Sequence, residues 1–131
     1  MKTVITFGTF DLFHIGHLNI IERASKLGDR LVVGVSADDL NIVKGKGIPV
    51  IPQNERLAII KALYCVGEVF LEESLDLKSE YIVNYKADLL VMGDDWRGRF
   101  DDCSQVCEVT YLPRTPGISS TLIKAKLSNT L

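Results

Sequence analysis

A chain of 131 residues with 47% apolar and 24% charged side chains has the proportions of one globular domain, which excludes disordered and fibrous classes. Fifteen Lys and Arg against 17 Asp and Glu leave a formal charge of −2, so no general nucleic-acid-binding surface is expected. No apolar run reaches the roughly 20 residues that span a bilayer, and Met1 to Thr6 lacks the pattern of a secretory signal, so a cytoplasmic protein without membrane insertion is expected.

Val4 to Phe7 reads as a buried strand ending at Gly8. Leu18, Ile20, Ile21, Ala24 and Leu27 carry helical spacing and stop at Gly28, a residue suited to ending a helix. Leu31 to Val35 is a β-branched second strand. Asp38 to Gln53 carries no clear period and holds Lys44-Gly45-Lys46-Gly47, so it reads as a long functional loop. Asn54 is placed to cap a helix through Leu57, Ile60 and Leu63. Val66 to Leu71 is a third strand, Leu77 to Tyr85 a helix, and Leu89 to Gly93 a fourth strand. Val109 to Leu112 makes a fifth, and Ser119 or Ser120 caps a last helix through Leu127.

Continuous apolar strands separated by helices of about ten residues predict parallel βαβ units with helices on both sheet faces. The fold class is therefore α/β: one Rossmann-like, doubly wound domain over residues 1–131, with five parallel strands ordered 3-2-1-4-5. In this architecture ligands bind beyond the carboxyl ends of the strands. Three cysteines, Cys65, Cys103 and Cys107, do not make a disulfide framework, and the four-residue step from 103 to 107 is not a CxxC half-site.

The unusual residues fall at those strand ends. Gly8-Thr9-Phe10-Asp11-Leu12-Phe13-His14-Ile15-Gly16-His17 runs from the first strand into a helix. A glycine there permits close approach of a ligand, and a helix start offers unpaired N–H groups and a positive dipole end to phosphate. His14 and His17 are three apart, so both imidazoles can face one side, as donors or as cations. Gly16 between them leaves room for a bulky group. Arg114-Thr115-Pro116-Gly117-Ile118-Ser119-Ser120-Thr121 follows the fifth strand and opens the last helix. Its hydroxyls, backbone N–H groups and fixed cation suit phosphate oxygens as well.

His14-Ile15-Gly16-His17 resembles the HxGH signature of the nucleotidyltransferase superfamily, and Gly8-Thr9-Phe10-Asp11 resembles its cytidylyltransferase branch. Arg114 to Thr121 is similar to that branch's second signature, commonly RTxGISTT, and Met92-Gly93-Asp94-Asp95-Trp96 extends the match from Val4 to about Lys126. The resemblance implies attack by a phospho-alcohol on the α-phosphorus of CTP, releasing pyrophosphate, with sn-glycerol 3-phosphate as acceptor and CDP-glycerol as product. Ethanolamine-phosphate or choline-phosphate acceptors, or a nucleotide-binding module without turnover, are the alternatives.

Carried over residue by residue, His14, His17, Lys46 and Arg114 take catalytic roles. Gly8, Thr9, Phe10, Asp94, Thr115, Gly117, Ile118, Ser119 and Ser120 join His14, His17 and Arg114 around the nucleotide. Asp11, Lys44, Lys46, Arg56 and Trp96 are expected at the acceptor. Trp96 either walls that pocket or covers the sheet end, and Arg56 is otherwise an exposed helix arginine. No side chain is assigned to a metal with certainty; Mg²⁺ is expected to arrive on the triphosphate, with Asp94 or Asp95 beside it. The resemblance implies a homodimer, and Tyr64-Cys65-Val66-Gly67 departs from the Arg-Tyr-Val-Asp common in the family.

Overall fold

The computed structural model describes residues 1–130. β1 (Thr3–Gly8) is buried from Thr3 to Phe7 and is the centre of the sheet. It pairs in parallel with β2 (Arg30–Ser36) on one side and β4 (Leu89–Gly93) on the other. β3 (Glu68–Glu72) extends β2 and β5 (Glu108–Leu112) extends β4, giving the expected order β3-β2-β1-β4-β5.

Side chains along β1 alternate between two cores, as a period of two requires. Val4 joins Val33, Val35 and Val91 under α1 (Ile15–Ser25) and α3 (Gln53–Lys61), through Ile21 and Ile60. Ile5 and Phe7 join Val32, Leu90 and Met92 on the other face, under α4 (Lys78–Asn84) through Ile82. Burial on both faces explains why these strands read as unbroken apolar runs. α5 (Ser120–Thr130) is the last described element, and Leu122 N–H donates to Ser119 Oγ at 3.1 Å, so Ser119 is its capping hydroxyl.

Three local expectations are corrected. The stretch expected as one long loop contains α2 (Asp38–Val43). Asn54 lies within α3, whose cap position is Pro52; the Gln53 N–H turns instead to Asp38 Oδ2 at 3.4 Å, and the Asp38 N–H returns to Gln53 Oε1 at 2.9 Å. Gly28 does not end α1, which stops at Ser25. A Cβ there would meet the Lys2 carbonyl oxygen at 2.7 Å, so the glycine serves a close chain crossing.

Candidate active site

The order reverses between β1 and β4, and their carboxyl ends, Gly8 and Gly93, open onto a cavity of 440 Å³. The turn leaving β1 is strained: Phe10 and Leu12 hold φ of 56° and 50°, a region that side chains rarely adopt. That conformation folds the Phe10 ring back over Gly8, where a Cβ would sit 2.7 Å from it. Any side chain at position 8 would have to displace that ring.

The two histidines are themselves the cap of α1. The Gly16 N–H donates to His14 Nδ1 at 3.0 Å, and the His14 N–H donates to His17 Nδ1 at 3.3 Å, a reciprocal capping box built from imidazoles. The rings stack with centroids 3.8 Å apart. Phe10 meets the His17 ring edge-on at 5.5 Å, and Phe13 stacks on it at 5.6 Å. Because both Nδ1 atoms accept, a neutral imidazole at either position carries its hydrogen on Nε2. Burial, the neighbouring His14 and, in the opposite sense, Asp11 bring His17 down to about 4. Burial and the Arg114 charge lower His14 too. Both rings line the cavity, so it is offered neutral Nε2–H donors rather than cations. The space expected over Gly16 is filled by the His14 ring at 2.9 Å and an Ile118 methyl at 3.2 Å from a notional Cβ.

Arg114, Thr115, Ile118, Ser119, Ser120 and Thr121 form the adjoining wall with the start of α5. Asn19 Nδ2 donates to Thr115 Oγ1 at 3.0 Å, which leaves the Thr115 hydroxyl hydrogen for another acceptor. Ser120 Oγ donates to the Asp11 carbonyl and ties α5 to the turn after β1. Gly117, expected at the nucleotide, is a positive-φ turn residue (79°) outside the cavity lining. It shapes the approach to α5.

Lys44, Lys46 and Trp96 also line the cavity and form a second cluster. Their Nζ atoms lie 6.0 and 5.0 Å from the Trp96 ring centroid. Lys44 Nζ also donates to Ser36 Oγ at 2.8 Å. Burial lowers Lys44 to about 8; Glu72 opposes that shift, and Lys46, Lys78 and Arg56 add to it. Lys78, which the sequence reading missed, belongs here as well. It is 4% exposed, sits 2.9 Å from Glu72 Oε2 and covers the rings of Phe7 at 3.9 Å and Phe100 at 4.5 Å. Asn41 was missed too; it is buried and accepts the Thr9 hydroxyl at 2.9 Å.

Asp11 and Arg56, expected at the acceptor, hold backbone contacts, and Asp94, expected at the nucleotide, lies outside the cavity lining. Asp11 lines the cavity, but its carboxylate accepts the N–H groups of Val50 and Ile51 at 2.8 and 2.9 Å, with Lys124 Nζ at 3.6 Å, so it anchors the lysine loop. Arg56 is only 1% exposed and lies outside the lining. Its guanidinium donates to the carbonyls of Thr9, Ser36 and Ile51 and to Asp38 Oδ1, joining three segments beneath the site. Asp95, rather than Asp94, reaches the cavity; its Oδ1 lies over Gly93, on the Arg114 side.

Among the described residues no group of three or more His, Cys, Asp and Glu gathers to hold a metal ion. With the Asp11 carboxylate engaged, Asp95 is the side chain placed to meet a divalent ion held mainly by phosphate oxygens, which is how Mg²⁺ usually binds. The donor set fits an ion that travels with a nucleotide.

The family model described as cytidylyltransferase-like matches residues 5–126. The chain belongs to that family. It is 46% identical over 98% of both chains to the glycerol-3-phosphate cytidylyltransferase of Bacillus subtilis (strain 168). It is 40% identical to the protein of that name from Staphylococcus aureus, over 97% of this chain and 96% of the relative. Among solved structures, a lipopolysaccharide core biosynthesis protein from Thermoplasma volcanium GSS1 superposes with a TM-score of 0.73 at 30% identity, over 88% of this chain and 97% of that one.

Proposed function

We propose that this chain joins CTP and sn-glycerol 3-phosphate to give CDP-glycerol and pyrophosphate. The observation that carries the reading is one cavity lined by two separate clusters: paired imidazoles with a helix N-terminus, and lysines gathered on aromatic rings. Two separate anions need such a division. The near-full-length relatives that carry the glycerol-3-phosphate cytidylyltransferase name support this donor and acceptor.

In this mechanism the triphosphate lies against Arg114, Thr115, Ser119 and the first N–H groups of α5. A phosphate oxygen of the acceptor attacks the α-phosphorus in line; the bond to the β-phosphate breaks and its electron pair leaves with pyrophosphate. A phosphate monoester is already anionic near neutral pH, with a second pKa of about 6, so no general base is needed. The protein's task is to hold two repelling anions together and receive the charge that develops. Lys44, Lys46 and Lys78 offset the acceptor's charge, while the Nε2–H groups of His14 and His17 donate to the α-phosphate oxygens as negative charge builds. Mg²⁺, held by the triphosphate and Asp95, would further neutralise phosphate oxygens.

The reading includes one cytidylyltransferase domain, a cytoplasmic location and a homodimer. No helix among the described residues is long and apolar enough to cross a membrane, and light scattering on purified protein tests the dimer. For the reaction, the test is a matrix of four nucleoside triphosphates against several phospho-alcohols with Mg²⁺, scored by pyrophosphate and product mass. The expected result is CDP-glycerol from CTP and glycerol 3-phosphate; no pyrophosphate from that pair sinks the proposal.

A further inference from the structure

Resting on that reading, the acceptor end carries a finer piece of chemistry. A quaternary or primary ammonium is commonly held on an aromatic face within about 6 Å of the ring centroid. Three rings line this end: Phe7, Trp96 and Phe100, the last two with centroids 5.5 Å apart at 37°. Each already carries a cation of the protein. Lys78 Nζ lies over Phe7 and Phe100 at 3.9 and 4.5 Å. Trp96 has Lys46 Nζ at 5.0 Å and Lys44 Nζ at 6.0 Å from the cavity lining, and the exposed Arg99 guanidinium, outside that lining, at 5.6 Å from the same ring. Glu72 does not redress this balance, because it is fully buried, with Lys78 Nζ at 2.9 Å and the Ser36 hydroxyl at 3.3 Å; Asp101 accepts the Tyr111 hydroxyl at 2.9 Å. Asp95 has its Oδ1 turned over Gly93 on the Arg114 side.

We infer that the cations seated on Trp96, Phe7 and Phe100 make this site reject phospho-alcohols bearing an ammonium group, and that Arg99 is a specificity-determining residue in that rejection. The acceptor's phosphate gains from every one of these charges. Its other end gains only if it is neutral, as a polyol is; an ammonium finds the aromatic faces taken and like charges around them. This is discrimination by repulsion, which does not require a tighter grip on the correct substrate.

The test measures kcat/KM for glycerol 3-phosphate, ethanolamine phosphate and choline phosphate, with CTP and Mg²⁺, in the wild type, Arg99→Gln and Arg99→Glu. The wild type is expected to prefer glycerol 3-phosphate by at least about 100-fold, the scale set by unfavourable like-charge contacts. Arg99→Glu is expected to narrow the margin against ethanolamine phosphate by about tenfold and Arg99→Gln by less, since exchanging a cation for a carboxylate reverses the local sign. A purely structural role for Arg99 would lower all acceptors together and leave the ratios fixed. Unchanged ratios in Arg99→Glu, or wild-type use of choline phosphate within about tenfold of glycerol 3-phosphate, overturn the inference while the proposed reaction stands. Absence of turnover with every phospho-alcohol overturns the proposed reaction, and this inference with it.

Discussion

His14 holds two jobs that a single substitution can separate. Its Nδ1 caps α1 by accepting the Gly16 N–H at 3.0 Å, which leaves the hydrogen of the neutral ring on Nε2 in a residue that lines the cavity. Asparagine is among the best helix caps, and its Oδ1 stands where Nδ1 stood, but it supplies no donor at the Nε2 position. His14→Asn should therefore hold stability within about 0.5 kcal/mol of wild type, whereas His14→Ala should lose about 1 kcal/mol with the cap. Both should lose about 10²–10³ in kcat, the usual effect of removing one preorganised donor from developing charge, or roughly 3–4 kcal/mol of barrier. Urea unfolding gives the first quantity and continuous pyrophosphate release the second. His14→Asn with turnover within about threefold of wild type would remove Nε2–H from the mechanism. Equal stability losses in the two variants would show instead that the cap geometry contributes nothing.

Stability should also fall with acid in a way that belongs to His17. The group binds its proton at about 4 when folded and at about 6.5 when unfolded. Its contribution is thus complete above pH 6.5 and is lost as the pH falls towards 4; between pH 7 and 5 the loss is about 2 kcal/mol. Urea unfolding at the two pH values should show that loss in the wild type and a correspondingly smaller one in His17→Asn; identical pH dependence in both refutes it. Arg56→Leu strips the carbonyls of Thr9, Ser36 and Ile51 of a buried donor and leaves Asp38 without its ion pair. We expect a loss of about 3–5 kcal/mol in urea unfolding, the cost typical of breaking a buried charged network; a loss under about 1 kcal/mol would contradict the role given to this arginine.

The sheet was legible because its strands are covered on both faces, which compresses the code to short β-branched runs between helices. α2 was not, since it has six residues, an Ala37 cap position without a capping side chain, and only Leu40 and Asn41 buried. The histidine pair was legible because a spacing of three fixes the relation of two side chains on one helix turn. Lys78 was not. In a helical segment a lysine reads as solvated, and its burial follows from Glu72 and the rings of Phe7 and Phe100, which other elements supply. The burial of Arg56 was hidden for a similar reason: the carbonyls of Thr9 and Ser36 lie 47 and 20 positions away. The choice between Asp94 and Asp95 turned on a single-turn 3₁₀ segment, Asp94–Trp96, in which neighbouring side chains diverge by a third of a turn.

The two ends of the cavity are held by different means, and that difference bears on how they come to work together. The imidazoles cannot drift, because they are the cap that starts α1. The lysines ride on a segment with positive-φ glycines at 45 and 47, neither having any atom within 4 Å of a notional Cβ. Both borders of that segment are nevertheless fixed to the turn after β1. Lys46 N–H donates to the carbonyl of Asn41, whose side chain accepts the Thr9 hydroxyl, and Val50 and Ile51 are held by the Asp11 carboxylate. Thr9 and Asp11 belong to the strained turn that delivers His14. The cations are therefore referenced to the donors through a few residues of one turn, while the positive-φ glycines at 45 and 47 shape the backbone that carries Lys44 to Ser36 and Lys46 to the Trp96 ring. A reaction between two anions needs such a shared reference, because it sets the separation of the reacting groups before they meet.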